Sequence, residues 1–391
     1  MVYKFSNNMQ SVTGSATREI FKLLSKPEII SFAGGLPANE CLPTEAVARI
    51  SNELLVSAEG KAILQYGTTE GVATLRTELV KYATSEGLKA TDSELMVLSG
   101  GQQGIDLFIK TFCNKGDVVL VENPTFLAFL QVASSYGARC VGVKSDDKGL
   151  DITDLEAKIK EYKPKALYVV PTFSNPTGKT YTAERRKAIC EVTAKYGIMV
   201  LEDDPYSRLR WTGDRVSPLK TFDKTGNVVY VTSFSKLISP GLRVGFCIGE
   251  EEVIRKMTIG KQCADLHTSN LSQAIVREFL RGGLLEPHIK KAVPIYQKRA
   301  KTMLDCLAEY MPKNFEYTKP EGGLFVWGEF KDKTNTVQKF EQAITNNVAY
   351  IQGQVFYADS SGLNTLRLNF SNADPEKIER GVKALGKIFG K

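Results

Sequence analysis

Histidine is nearly missing from this chain. Its 391 residues include two, His267 and His288. A zinc site built on imidazole is thereby all but excluded, and a Ser-His-Asp triad has few ways to form. Any chemistry must run without imidazole or with a cofactor. A disulfide framework is also absent. There are seven cysteines (Cys41, Cys113, Cys140, Cys190, Cys247, Cys263 and Cys306), an odd number with no CxxC pair, and most have apolar neighbours, as in GFCIG. They read as buried, reduced thiols. Long apolar runs are missing too. None approaches the ~20 residues needed to span a bilayer, and the N-terminal MVYKFSNNMQ is too polar for a signal peptide. The expectation is a soluble, cytoplasmic protein with no membrane partner. Nor is there a strong charge of one sign. The net charge is +7, with no basic block, so nucleic acid is not an expected partner. A mild positive field does suit anionic small molecules.

What is present is a rhythm. Residues 1–17 are polar and read as an extended arm, and Arg18–Ser25 has helical spacing. A Gly/Pro-rich connector, IISFAGGLPANECLPTEAV, follows, with Thr44 placed to cap the next helix. Residues 45–285 alternate short apolar runs with amphipathic stretches. The runs include MVLSG, VVLVE, ALYVVPT, IMVLEDD, VVYVTS and VGFCIG. The stretches between them include QQGIDLFIKTF and AERRKAICEVTAKYG. This predicts an α/β domain with a mostly parallel sheet flanked by helices, and ligands at the carboxyl ends of its strands. Residues 286–391 change character: PIYQKRAKTMLDCLAEYM reads as a helix, then GGLFVWGEF, QKFEQAITNN, VAYIQGQVFY, TLRLNFS and a closing helix. They predict a small α+β domain, with residues 1–44 as a segment serving it and the site.

Several strand ends carry chemistry. In SGGQQGIDL, two glycines lead into a helix whose first N–H groups face any anion placed there, through Gly101, Gln102 and Gln103. It is also a common βα turn. Asn175, in SNPTGK, is a turn residue or an amide donor aimed at a ligand. In LEDDPY, Asp204 reads as a solvated strand end. Asp203, three residues before Tyr206, reads as a buried acid seeking a positive partner. In SFSKLISPGLR, Lys236 sits at a strand end with Ser233, Ser235 and Arg243. A desolvated lysine becomes a nucleophile toward carbonyls, and the hydroxyls and guanidinium suit a phosphate. Pyridoxal 5'-phosphate (PLP) asks for that set: a Schiff-base lysine, an anion cradle, and a carboxylate at the ring nitrogen.

The ordered set Asn175, Asp203, Tyr206, Lys236, Arg243 and Arg367, with FAGGLP, LQYGTTEG and GGLFVW, resembles the class I aminotransferases of PLP fold type I. The resemblance spans nearly the whole chain. It implies a seven-stranded, mostly parallel sheet in the large domain. Lys236 would hold the cofactor and shuttle the proton at Cα. Asp203 would keep the pyridine nitrogen protonated, and Tyr206 and Asn175 would bond the ring oxygen. Phe126, where many relatives carry tyrosine, would stack on the ring. Gly101 falls where relatives often have serine. Tyr66 would reach the phosphate of the neighbouring subunit, implying a homodimer with shared sites, and Arg367 would grip the substrate α-carboxylate. Taken alone, Arg367 is as well a strand-face salt bridge, and Tyr66 and Phe126 are core aromatics.

The segment ATREI…ISFAGGLPANECLP is most similar to the 2-aminoadipate/kynurenine branch, which is close to the enzyme domain of MocR-type regulators. That implies an amino-acid:2-oxo-acid aminotransferase with ping-pong kinetics. Glutamate/2-oxoglutarate would be one pair, and 2-aminoadipate, aromatic or kynurenine, or branched-chain amino acids the other. Gly35 would allow close approach of the substrate. Arg18 would meet an acidic side chain, or is an exposed helix-start arginine. The alternatives are a PLP-dependent β-lyase or decarboxylase on the same fold, and a PLP-sensing regulatory module.

Overall fold

The computed structural model describes residues 3–6, 9 and 28–390. Seven strands form the main sheet: β1 (Leu95–Leu98), β2 (Val118–Glu122), β3 (Arg139–Val143), β4 (Ala166–Val169), β5 (Met199–Asp203), β6 (Val228–Ser233) and β7 (Gly245–Ile248). Their order is β1-β7-β6-β5-β4-β2-β3. Strands β2 to β6 pair in parallel, and β7 runs antiparallel to both its neighbours. Six of these strands are the six apolar runs. The sheet is covered on both faces, so its central strands are apolar without alternation; β4 and β6 are buried throughout.

The sequence reading missed β3. It is the edge strand, RCVGV, exposed at Arg139 and fully buried only at Val143. A half-covered edge has no need of a continuous apolar run.

Helices return the chain between parallel strands. The helix Gly101–Phe112 follows β1, and Ala183–Lys195 precedes β5. The helix opening at Thr44 is preceded by Pro43, and Thr44 makes no side-chain cap. The helix predicted from Pro294 begins at Leu285 and runs to Tyr310, with Pro294 inside it. Proline lacks one donor and fixes φ, but the apolar face of this helix is continuous across it, with Ile289, Ala292 and Tyr296 all buried.

Beyond this helix, four antiparallel strands form the second sheet: β8 (Phe315–Tyr317), β9 (Phe325–Phe330), β10 (Ile351–Gln352) and β11 (Thr365–Asn369), in the order β8-β9-β11-β10. The strand Ile30–Ser31 pairs in parallel with Val348–Ala349. Phe32 O accepts a hydrogen bond from Asn369 N at 2.8 Å. The connector is thus sewn to the C-terminal sheet and brings Gly35 to the space between the two sheets. The helix read over Arg18–Ser25 lies outside the described residues. All seven cysteines are free; four are buried, Cys113 and Cys140 are half-buried, and Cys263 is exposed. Among the described residues, no helix is long and apolar enough to cross a membrane.

Candidate active site

The ends of β4, β5 and β6 and the start of β7 face a pocket of about 370 Å³. Gly35, Gly101, Gln102, Phe126, Asn175, Asp203, Tyr206, Ser233, Ser235, Lys236, Arg243 and Arg367 all line it. Among the described residues that line it, the charged groups are three cations and one acid, Asp203.

Lys236 follows β6. Its Nζ donates to Gly35 O at 2.7 Å, and no carboxylate among the described residues pairs with it. Burial, followed by the nearby Arg243 and Arg367, pulls its ammonium down to about 8. A good fraction of this amine is therefore neutral near pH 8, the form that attacks a carbonyl. Gly35 has no room for a side chain. A Cβ there would stand 2.9 Å from the Phe325 ring.

Asp203 ends β5 and is 6% exposed. Burial raises its carboxyl to about 7, against a hydrogen bond donated by Tyr168 Oη to Oδ2 at 2.8 Å. The other oxygen, Oδ1, lies on the side of Gly101, 3.9 Å from where a Cβ on that residue would stand. Asp204, read as a solvated strand end, is instead buried at 3% exposure. It accepts from Ser207 N at 3.1 Å and Tyr230 Oη at 3.2 Å. A turn amide and a sheet hydroxyl replace the water that the sequence reading supposed.

Arg367 lies on β11 and is 4% exposed. Nη1 donates to Asn175 Oδ1 at 2.7 Å, and Nη2 donates to Ala33 O at 2.5 Å. Its Nε is buried without a partner among the described residues. Phe325 and Phe356 sandwich the guanidinium, with ring centroids 4.3 and 5.0 Å away. Burial lowers it to about 10. No acid among the described residues pairs with it, so it is not a strand-face salt bridge. A buried guanidinium without a counter-ion among the described residues is costly, and a carboxylate brought by a ligand could offset that cost.

Gly100 (φ +86) turns β1 into the helix Gly101–Phe112. A Cβ on Gly100 would collide with the Arg243 guanidinium. Arg243 itself holds a left-handed φ of 54°, a strained backbone of the kind found at functional sites. Its Nη2 donates to Ser99 O at 3.1 Å and its Nη1 to Ser235 Oγ at 3.4 Å. Ser233 Oγ donates to Ser235 Oγ at 2.8 Å. A helix N-terminus, two hydroxyls and an arginine with no acid partner among the described residues make an anion cradle.

Two predicted residues lie elsewhere. Gln103 turns its side chain away from the pocket, its Oε1 accepting from Ser99 N at 2.8 Å. Its N–H donates to Gly100 O at 3.1 Å. Tyr66 is 78% exposed and packs edge-on against His267. It is not a core aromatic. Arg18 lies outside the described residues. The sequence reading missed Tyr168, Phe325 and Phe356. They sit in strands or turns rich in apolar residues, where an aromatic carries no distinguishing signal; only the hydroxyl of Tyr168 within ALYVV was a hint.

The donor set fits pyridoxal phosphate. The anion cradle, the buried acid, an amine with no acid partner among the described residues and the flat ring of Phe126 line one pocket, and Arg367, whose Nε has no partner among the described residues, could receive a carboxylate. The aminotransferase class I and II family profile matches residues 28–385. The aromatic-amino-acid aminotransferase 1 of Thermococcus litoralis is 39% identical over 98% of this chain and 94% of its own. A kynurenine aminotransferase from Pyrococcus horikoshii, solved with PMP, is similar in structure at a TM-score of 0.94 and 40% identity, over 98% of this chain and 96% of that one. The alpha-aminoadipate aminotransferase of Thermus thermophilus, complexed with N-(5'-phosphopyridoxyl)-L-leucine, has a TM-score of 0.91 and 36% identity, over 98% and 97%. The chain belongs to the class I and II aminotransferases, and it is a PLP-dependent aminotransferase of fold type I.

Proposed function

We propose that this aminotransferase moves the amino group of an aromatic, kynurenine-type, 2-aminoadipate-type or branched-chain donor to 2-oxoglutarate in a ping-pong cycle. The observation that carries this reading is a pair of arginines in one pocket, neither with an acid partner among the described residues and each held by a different set of neighbours. Arg243 and Arg367 line one pocket with Lys236 and both act on its charge, but Arg243 is held by Ser99 and Ser235 and Arg367 by Asn175 and Ala33. One suits a phosphate and the other an α-carboxylate. Phe325 and Phe356 lie against Arg367, and Leu127, Ala128 and the amide-bearing Gln131 also line the pocket, which suits an apolar or long side chain.

Bound in this pocket, PLP supplies an aldehyde that takes up the amino group and a ring that withdraws the electrons left at Cα. The chain's own residues do the rest. Lys236, its ammonium pulled down to about 8, is the covalent anchor and then moves the proton at Cα. Asp203 would hold the proton on the ring nitrogen, the nearby cation favouring its charged form. Tyr206 and Asn175 hold the ring oxygen, and Phe126 covers one face of the ring. Gly101, Gln102, Ser233, Ser235 and Arg243 hold the phosphate. Arg367 fixes the α-carboxylate, with Gly35 leaving it room. We assign residues 45–285 to a cofactor-binding domain and 286–391 to a small domain, with residues 1–44 serving the latter and the site. The working form is a cytoplasmic homodimer in which the exposed Tyr66 of each subunit completes the other's site.

A half-reaction screen tests this. The loaded enzyme is mixed with one amino acid at a time, and the visible band of the aldehyde form is followed. Glutamate and at least one aromatic, 2-aminoadipate-type or branched-chain amino acid should convert it to the amine form. Conversion by none of them overturns the proposal.

A further inference from the structure

Behind the anion cradle lies a charged side chain that the reaction does not use. Lys261, in the last turn of the helix Glu251–Gln262, has no solvent exposure. A buried ammonium is costly unless its protons are satisfied, and here its three protons meet four acceptor atoms. Nζ donates to Gln103 Oε1 at 2.7 Å, to Asp265 Oδ1 at 2.8 Å and Oδ2 at 3.0 Å, and to Thr268 Oγ1 at 3.2 Å.

A lysine–aspartate pair at a helix end could serve only to fasten that end. The remaining bonds point elsewhere. The Gln103 oxygen that accepts from Lys261 also accepts the backbone N–H of Ser99 at 2.8 Å. The Ser99 hydroxyl donates to Asp265 Oδ2 at 2.6 Å and lies 3.1 Å from Thr268 Oγ1. The Ser99 carbonyl accepts from Arg243 Nη2 at 3.1 Å. Every polar group of Ser99 is therefore tied, on one side to the Lys261 cluster and on the other to Arg243. Ser99 is the residue before Gly100 and Gly101, the turn that opens the helix at the cradle.

We propose that Lys261 is a positioning residue for the cofactor phosphate, acting through Gln103 and Ser99 to hold the Gly100–Gly101 turn and the Arg243 guanidinium at one fixed separation. The proposal rests on the reading that the phosphate sits at this cradle. Glycines leave the turn free to take many conformations. Anion binding by backbone amides needs them aimed before the anion arrives. The Lys261 cluster supplies that aim from behind without occupying the cradle. It also accounts for Gln103, whose side chain serves the turn rather than the ligand.

The test compares two aldehydes on the full, cofactor-free chain: pyridoxal phosphate and pyridoxal, which lacks the phosphate. Dissociation constants are read from the absorbance of the bound form. The substitution Lys261→Met keeps length and burial and removes the charge. Gln103→Leu leaves the lysine–aspartate pair intact and cuts its link to Ser99, so it carries the test should Lys261→Met fail to fold. Each folded variant should bind pyridoxal phosphate about tenfold or more weakly, the scale of one lost charge-assisted bond, with pyridoxal affinity within about twofold of the parent chain. Equal losses on both aldehydes would mean a general structural role and would overturn the proposal. So would unchanged affinity for pyridoxal phosphate in a folded variant. A parent chain that does not prefer pyridoxal phosphate over pyridoxal would overturn the phosphate reading itself, a result separable from the other two.

Discussion

Arg367 Nη1 donates to Asn175 Oδ1 at 2.7 Å, joining a strand of the second sheet to the loop after β4 of the first. The two residues are 192 positions apart in the chain. This bond ties the two sheets together at the pocket. Replacing Arg367 by lysine keeps a positive charge but removes the planar fork. Arg367→Lys should lower kcat/KM for amino acids about ten- to a hundredfold, as expected for loss of a charge-assisted bond at ~1.5–3 kcal/mol. The cofactor absorbance should stay as in the parent enzyme. Steady-state kinetics on a donor series checks the first part, and a spectrum the second.

Lys236 has no substitute among the residues lining the pocket. Lys236→Ala should remove the visible band of the lysine-bound cofactor and reduce turnover by at least ~10²–10⁴-fold. A pH effect accompanies it. The ammonium is pulled down to about 8, so the nucleophilic amine accumulates as pH rises through that value. Loading of the cofactor-free protein should speed up from neutral pH and level off above about 8. Stopped-flow absorbance measures this. A rate that falls with pH would contradict the assignment.

Asp203 gives a stability signature. Its folded carboxyl titrates at about 7 against 3.8 for the free group, because burial disfavours the charge. Between those values the folded chain holds a proton that the unfolded chain has lost. The group's contribution is full below the lower value and is lost as pH rises through the upper one. Glu122 and Glu202, each raised by burial to about 7, slope the same way. Thermal melts of the cofactor-free chain should therefore fall as pH rises from mildly acidic to neutral. Asp203→Asn should make that decline shallower without removing it, and should cost the loaded enzyme most of its activity.

Tyr168 Oη donates to the Asp203 oxygen turned away from Gly101. Tyr168→Phe removes one bond to a carboxylate that must be charged to hold the ring proton. Turnover should drop about tenfold, with most of the loss in kcat rather than KM. A steeper loss at low pH should accompany it, since the acid, no longer held down by the hydroxyl, protonates more easily. A pH–rate profile of the variant against the parent decides this.

Tyr66 is 78% exposed on the single chain, and Leu64 is 73% exposed. Sedimentation at assay concentrations should give a particle of twice 43.2 kDa. A fully active species at the mass of one chain would rule out the shared site.

How much of this was legible beforehand follows from what each residue type can signal. Lys236 and Asp203 were legible because charge at the end of a buried strand is costly and needs a reason. Asp204 was misread by the same logic, since its partners, Ser207 N and Tyr230 Oη, come from a turn and a neighbouring strand. Six strands of the large sheet announce themselves as apolar runs, while Arg139–Val143, on the edge, does not. Lys261 was invisible for a further reason. On an amphipathic helix a lysine is ordinarily solvated, and only the fold places Gln103, Asp265 and Thr268 around it. Pro294 misplaced a helix start by acting as a local rule that tertiary packing overrides.

The reversed strand β7 pairs Gly245 with Leu98 on one side and with Ser233 on the other. Arg243 precedes that strand, whereas the neighbouring turns follow theirs. A recess assembled from one departure and two arrivals cannot be transplanted as a single continuous peptide, because no stretch of chain contains it. It also makes the alignment of one short strand a gatekeeper. A slip by one residue would flip its side chains to the opposite face of the sheet, carrying the guanidinium out of reach and disarming the whole enzyme while leaving every reactive group intact.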